Sequence, residues 1–260
     1  MISSKKNEKV FWSHKAAKYP LPFDPSTYNK TSRLVRAAEE LGAEFTGRAI
    51  LDIGCGTGIY ALALAGRAER VLGVDSSGAM LKRFRAEAVK RHIKNAKVLK
   101  SAWGDVPAAS VAKRFDIALA SMTHAVTTEK DLRKMETAAR ELCIYIGWAG
   151  VRENSFLNNI YSHHGVKYLP PAGAEKIIPA LERLGWKYKL VYLKDSWQWR
   201  GTPEDSLKDI KVSLKMNAAV PDPAWLHEFL KSRTRNGILT HTTIARKAII
   251  VWKPKQNQLR

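Results

Sequence analysis

Between residues 48 and 148 the chain alternates two kinds of segment, and this alternation is its strongest constraint on fold. Short runs rich in Ile, Val, Leu and aromatic residues occupy 48–53, 70–74, 96–100, 115–120 and 142–148, each closing near Gly, Asp or Ser. Between them, 28–41 (ahead of the first run), 58–65, 79–91 and 129–140 carry apolar residues at spacings of three and four, as Leu132, Met135 and Ala139 do. Strand and helix in regular succession require right-handed crossovers, hence a mostly parallel sheet covered on both faces. Past Trp148 the rhythm changes to a helix over 172–184, a strand over 187–199 and a last strand over 246–252. The stretch 200–243 between those strands opens on Thr202-Pro203-Glu204-Asp205 and restarts at Asp222-Pro223-Ala224-Trp225, two helix starts with a capping side chain and a proline at the first helical position. The expectation is an α/β, doubly wound sheet of seven strands, the last antiparallel, over 46–199 and 244–254. An N-terminal helical lid over 1–45 and a helical cap over 200–243 complete it.

At 260 residues the chain is long enough to bury a core without staples, and its 45% apolar, 26% charged composition is that of a globular domain. The longest clean apolar stretches, 59–65 and 248–252, fall far short of the roughly 20 residues that cross a bilayer, and the first ten residues carry no apolar signal segment. A cytoplasmic protein with no membrane partner is expected. Cys55 and Cys143 stand alone, without the spacing of a zinc site or a redox dithiol, so no metal is expected. The net charge of +20 is spread as +3 over 1–46, +7 over 47–150 and +10 over 151–260. Such a balance favours RNA or another anionic partner without specifying fold.

The sharpest local signal is Leu51-Asp52-Ile53-Gly54-Cys55-Gly56-Thr57-Gly58, a strand running through glycines into a helix. Glycines there permit positive φ and let a ligand approach bare backbone. A dinucleotide fingerprint needs its third glycine where Ile59 stands, and Asp52 would repel a pyrophosphate while welcoming an ammonium. Asp75 ends the next strand, where a carboxylate can accept both hydrogen bonds of a ribose diol. Asp105, in Ser101-Ala102-Trp103-Gly104-Asp105-Val106, follows the third strand and can accept from an exocyclic amine while a neighbouring backbone amide serves the ring nitrogen. Ammonium, diol and adenine together describe one ligand.

These residues resemble a class I S-adenosylmethionine-dependent methyltransferase of the small-domain, methyltransferase type 11/25-like kind, over 46–150. The L-D-I-G-C-G-T-G run and D-S-S-G-A-M-L at 75–81 are the two signatures that carry the resemblance. It implies a Rossmann-like sheet, S-adenosylmethionine as cofactor, and a binding set of Tyr19, Asp52, Gly54, Cys55, Gly56, Gly58, Asp75, Ser76, Met80, Asp105, Val106 and Ser121. In it Asp52 and the Gly54 carbonyl hold the methionine ammonium, Asp75 the ribose, and Asp105 with the Val106 amide the adenine, against which Met80 packs. Phe11, Trp12 and Tyr19 resemble the N-terminal helix that closes over the cofactor, Tyr19 near its methionine end.

Methyl transfer is an in-line displacement that positioning alone can accelerate, with a base needed only for a protonated acceptor. His124, after the fourth strand, is the first candidate for a group that contacts the acceptor or removes its proton. His163, of the pair His163-His164 in a strand or turn, is the second. No Asn/Asp-Pro-Pro-Tyr/Phe tetrapeptide and no Pro-Cys pair is present, so two nucleic-acid acceptor signatures are absent. Trp148, Phe156, Tyr161, Tyr168, Trp186, Trp197, Trp199 and Trp225 crowd the second half, as core, as a pocket wall or as a stacking platform. Leu81, Phe84 and Ala88 form the inward stripe of a helix whose other faces carry Lys82, Arg83, Arg85 and Lys90, continued by Arg91, Lys94, Lys97 and Lys100. Lys231, Arg233 and Arg235 are placed to meet an anionic acceptor. The expected activity is methylation of a small molecule; the alternatives are an RNA (tRNA or rRNA) methyltransferase and a non-catalytic S-adenosylmethionine-binding partner protein.

Overall fold

The computed structural model describes residues 16–17, 19–167, 170 and 172–255. Phe11, Trp12 and Tyr168 lie outside the described residues. An eight-stranded sheet runs in the order β3-β2-β1-β4-β5-β8-β6, with the two-residue strand β7 paired antiparallel to β8. The strands are β1 Ala49–Ile53, β2 Arg70–Asp75, β3 Ala96–Lys100, β4 Phe115–Ser121, β5 Ala139–Glu153, β6 Tyr188–Gly201, β7 Thr234–Arg235 and β8 Ile238–Trp252. β1 pairs in parallel with β2 and β4, β2 with β3, and β4 with β5. β8, the last strand, is antiparallel. The sheet is the expected one with a short extra strand, and its last strand starts at Ile238, eight positions before the expected 246.

Burial explains the order. β1 and β4, at the centre, are buried at every position, which is why AILDI and FDIALAS read as continuous rather than alternating apolar runs. β3, at the edge, is largely exposed and carries Lys97 and Lys100, charges that keep an open edge from pairing further.

The chain divides into two compact units. The larger comprises the described residues of 4–147, 173–192 and 248–260, and contains α1 Pro25–Glu40, α2 Ala61–Ala65, α3 Gly78–Lys90, α4 Ala108–Val111, α5 Glu129–Ala138 and α7 Ala174–Arg183. α3 starts on Ser77, whose side chain accepts from the Met80 amide, and α5 on a reciprocal capping box between Thr128 and Asp131. The helix expected from Gly58 begins at Ala61, because 54–60 form the loop.

The smaller unit takes in 148–172 and 193–247, and the stretch 200–243 lies inside it. Its helices are α6 Ser155–His163, α8 Pro203–Met216 and α9 Pro223–Arg233, capped by the Asn154, Thr202 and Asp222 side chains. Phe156, Ile160, Ile210, Leu214, Leu226, Leu230 and Leu239 form its core. α6 corrects the sequence reading: the His163-His164 pair closes a helix instead of lying in a strand or turn, because Asn154 caps a run whose Phe156, Ile160 and Tyr161 share one buried face.

Candidate functional site

β1 delivers the chain into a loop held from two sides. The Gly54 and Cys55 amides both donate to the Val74 carbonyl, at 2.7 and 3.1 Å, locking the turn to the end of β2. On the other side a Cβ at Gly54 would stand 2.0 Å from Thr123 Oγ1, and the residue has φ +73°. Only glycine fits there. Gly58, at φ +89°, is also tightly packed, a Cβ there standing 2.7 Å from the Phe84 ring of α3.

Two acidic side chains brace this loop. Asp75 accepts from the Gly56 amide at 2.9 Å and from the Ser77 amide at 2.8 Å, one on each carboxylate oxygen. Burial lifts its carboxyl above the ordinary aspartate range, with the two amide bonds acting against that lift. Asp52 is 2% exposed and accepts from the Ala61 amide at the start of α2, at 3.1 Å. Burial pushes its carboxyl up to about 7; the bond from Ala61 opposes the shift and the charge of Asp75 adds to it.

Around the loop lies a cavity of about 250 Å³, near the lower end of small-molecule sites. Of the expected residues, Tyr19, Gly54, Gly56, Asp75, Ser76, Met80, Asp105 and His124 line it. Asp52, Cys55, Gly58, Val106 and Ser121 do not, and stand behind the wall. The Val106 amide is already engaged, donating to the Trp103 carbonyl at 3.2 Å within the 3-10 turn Trp103–Asp105. Cys55 is buried, which raises its thiol well above the usual range, so it offers no thiolate. His163 belongs to the smaller unit, where its ring stacks on Trp225 at 3.9 Å and its Nε2 pairs with Asp222 at 3.2 Å.

Sequence reading missed Val74, Ser101, Ala102, Trp103, Gly104, Met122, Thr123 and Ala125 on the wall. All lie within four residues of a strand's carboxyl end, the place where ligands sit in such sheets, so position alone would have found them. Met122 adopts φ +48°, a left-handed backbone unusual for a side chain of its size, while its amide donates to Ile146. Beside it Ser121 Oγ is buried and has no hydrogen-bond partner among the described residues.

The N-terminal segment closes the wall. Thr57 Oγ1 donates to the Pro20 carbonyl at 2.8 Å, and Arg83 of α3 donates to the Ala16 carbonyl and, at 2.6 Å, to that of Ala17. Arg83 therefore faces the protein, not solvent as the helical pattern implies. The segment so pinned carries Tyr19, whose hydroxyl is held above the usual tyrosine range by burial and the charge of Asp75. The wall thus offers two carboxylates, bare glycine backbone at Gly56 and Gly104 with no atom within 4 Å of a Cβ position, and an apolar surface from Met80 and Trp103. A carboxylate has about four lone-pair sites, so Asp75 retains acceptors for a diol after serving two amides.

Comparison with known proteins gives a consistent fold. The methyltransferase domain family matches residues 50–143. Among solved structures, the YcgJ protein of Bacillus subtilis superimposes with a TM-score of 0.56 at 14% identity, covering 86% of this chain and 98% of that one. A protein of Bacillus halodurans assigned as a methyltransferase gives 0.56 at 14% identity, over 86% and 100%. Phosphoethanolamine N-methyltransferase 2 of Haemonchus contortus, solved with phosphomonomethylethanolamine and S-adenosylhomocysteine, gives 0.51 at 17% identity, over 96% of this chain and 58% of its own length. No curated protein matches the sequence at a significant level.

Proposed function

We propose that this chain, in which the methyltransferase domain family matches residues 50–143, is a class I S-adenosylmethionine-dependent methyltransferase whose acceptor is a small molecule, methylated at the cavity beside the 54–60 loop. When bound, S-adenosylmethionine supplies an electrophilic methyl carbon. The donor set suits it: Asp75 retains acceptors for the two ribose hydroxyls, Asp105 an acceptor for the adenine amine, and Met80 and Trp103 an apolar face for the ring. The Gly54 carbonyl takes the ammonium, and Asp52 behind it supplies negative potential while holding the start of α2. The buried, unpartnered Ser121 Oγ marks polar capacity left over next to the wall.

The observation that carries the small-molecule reading is the pinning of Ala16, Ala17 and Pro20, on either side of Tyr19. Hydrogen bonds from Thr57 and Arg83 hold Tyr19 on the same wall as Asp75 and His124, so acceptor and reacting carbon would meet in a space of small-molecule size. His124 is the residue positioned to orient the acceptor or take its proton.

One observation favours an RNA acceptor. Lys82, Arg85, Lys90, Arg91, Lys94, Lys97 and Lys100 are exposed along α3 and β3, on a chain of net charge +20. Incubating cell extract with S-adenosylmethionine labelled at the methyl group and separating the products tests both. Label in the metabolite fraction supports the small-molecule reading. Saturable label in RNA, with a steep inverse dependence on salt, overturns it.

A further inference from the structure

The smaller unit contains a second cavity, of about 460 Å³, whose wall includes Gly150, Arg152, Asn158, Ser162 and Val166. Arg152 lies on β5 two positions past Gly150 and four past Trp148, so the three share one face of the strand. Its guanidinium carbon stands 5.3 Å from the centre of the Trp148 ring and 5.8 Å from that of Trp197, and the two rings are 6.0 Å apart. Indole faces attract a cation and fix the plane of a guanidinium.

A second cation on the same Trp148 ring provides a comparison. Lys247 Nζ lies 5.8 Å from that ring's centre, and is paired with Asp195 at 2.6 Å, both side chains nearly buried. Arg152 is not matched in this way. Among the described residues its Nε is buried with no hydrogen-bond partner, and no carboxylate forms an ion pair with it. The adjacent Glu153 also lines the cavity, exposed, and is not ion-paired with Arg152 among the described residues. A desolvated N–H left unmet is costly, and native structures meet such groups with protein, water or ligand.

Besides Arg152 and the carboxylate of Glu153, the polar side chains on the wall are those of Asn158 and Ser162, and both can donate. Asn158 and Ser162 stand one turn apart on α6, at i and i+4, and so project on one side of the helix beside Arg152. We propose that this cavity binds an oxyanion carried by a small molecule, a carboxylate or a phosphate, seated on the Arg152 guanidinium with Asn158 and Ser162 as flanking hydrogen-bond donors. The choice of arginine fits such a ligand, since its planar fork matches both groups bidentately and lysine's point charge does not. The site is independent of the nature of the methyl acceptor.

The test follows the Arg Nε–H resonances of the intact protein by nitrogen-15 NMR during titration with inorganic phosphate and, separately, with acetate, at constant ionic strength made up with chloride. The Arg152 signal is assigned as the one that Arg152→Lys removes. The expected result is a saturable shift of that signal with at least one anion; phosphate alone assigns a phosphate, acetate alone a carboxylate, and both the shared chemistry. Tryptophan fluorescence, read through Trp148 and Trp197, is expected to report a binding constant about tenfold or more weaker in Arg152→Lys. The double variant Asn158→Ala/Ser162→Ala, on an exposed helix face, is expected to weaken it several-fold and keeps the test open should Arg152→Lys not fold. No saturable shift with either anion, or unchanged affinity in a folded variant, overturns the proposal.

Discussion

Thr57, at the heart of the glycine loop, donates its hydroxyl to the carbonyl of Pro20, 2.8 Å away. The side chain is fully buried, so this bond is shielded from competing water. It makes the loop and the segment bearing Tyr19 a single object: whatever orders one orders the other. Arg83 grips the same segment further along, through the Ala16 and Ala17 carbonyls.

Thr57→Val preserves shape and removes the donor, at an expected cost of about 1–2 kcal/mol. The effect should be local. Hydrogen exchange at 19–24 is expected to accelerate and affinity for S-adenosylhomocysteine to fall several-fold, whereas Thr57→Ser retains both. Unchanged exchange in Thr57→Val would show that Arg83 alone holds the segment.

Asp75 joins two loops through one carboxylate, taking the Gly56 amide on one oxygen and the Ser77 amide on the other. Asp75→Asn replaces one acceptor with a donor that faces an amide. The expected loss in S-adenosylhomocysteine affinity is about 10- to 150-fold, corresponding to roughly 1.5–3 kcal/mol for a charged acceptor, measured by calorimetry. Affinity within twofold of the native protein would remove Asp75 from the cofactor site.

Much of this arrangement was legible because it is written locally. The alternation of strand and helix gave the sheet, and Asp52, Gly54 and Asp75 stand out by their spacing at strand ends. What escaped reading depends on residues distant in sequence. Nothing near Gly54 announces that Thr123 will fill the space beside it, and nothing in the α3 pattern distinguishes Arg83, which turns to the Ala16 and Ala17 carbonyls, from its solvated neighbours. The Val106 amide looked available because a 3-10 turn of three residues leaves no periodic trace, yet that turn consumes it. α6 leaves little local trace for a different reason: its cap, Asn154, directly follows the last residue of β5, so no turn-forming stretch separates strand from helix.

Gly58→Ala tests whether the loop tolerates any side chain. A Cβ there would meet the Phe84 ring at 2.7 Å and Leu62 Cγ at 2.9 Å, on a backbone at φ +89°. Steric overlap and left-handed strain act together, so a loss of about 2–4 kcal/mol is expected in urea unfolding. Phe84→Leu in the same background should recover part of it by opening the contact while the strain persists. A loss below about 0.5 kcal/mol would mean that the loop shifts freely.

Asp52 sets stability against function. Its folded-state pKa of about 7 stands above the ordinary 3.8, so between those values the folded chain keeps a proton that the unfolded chain has released. The resulting stabilisation is complete below about pH 4 and is lost as pH rises through 7, above which a carboxylate is buried at a cost of at most about 4 kcal/mol. Asp52→Asn removes the titration and keeps an oxygen for the Ala61 amide. Relative to the native protein it is expected to gain stability at pH 8 and none near pH 4, so that the difference between their urea midpoints grows with pH across that window. If the side chain is held there to attract the cofactor's ammonium, the same variant should bind S-adenosylhomocysteine more weakly at pH 8, where the native carboxylate is charged, and differ less at pH 6. Greater stability together with weaker binding is the signature of a buried charge kept for its ligand; parallel stability curves would show that Asp52 titrates as an ordinary carboxylate, and equal binding at pH 8 that its charge does not reach the site.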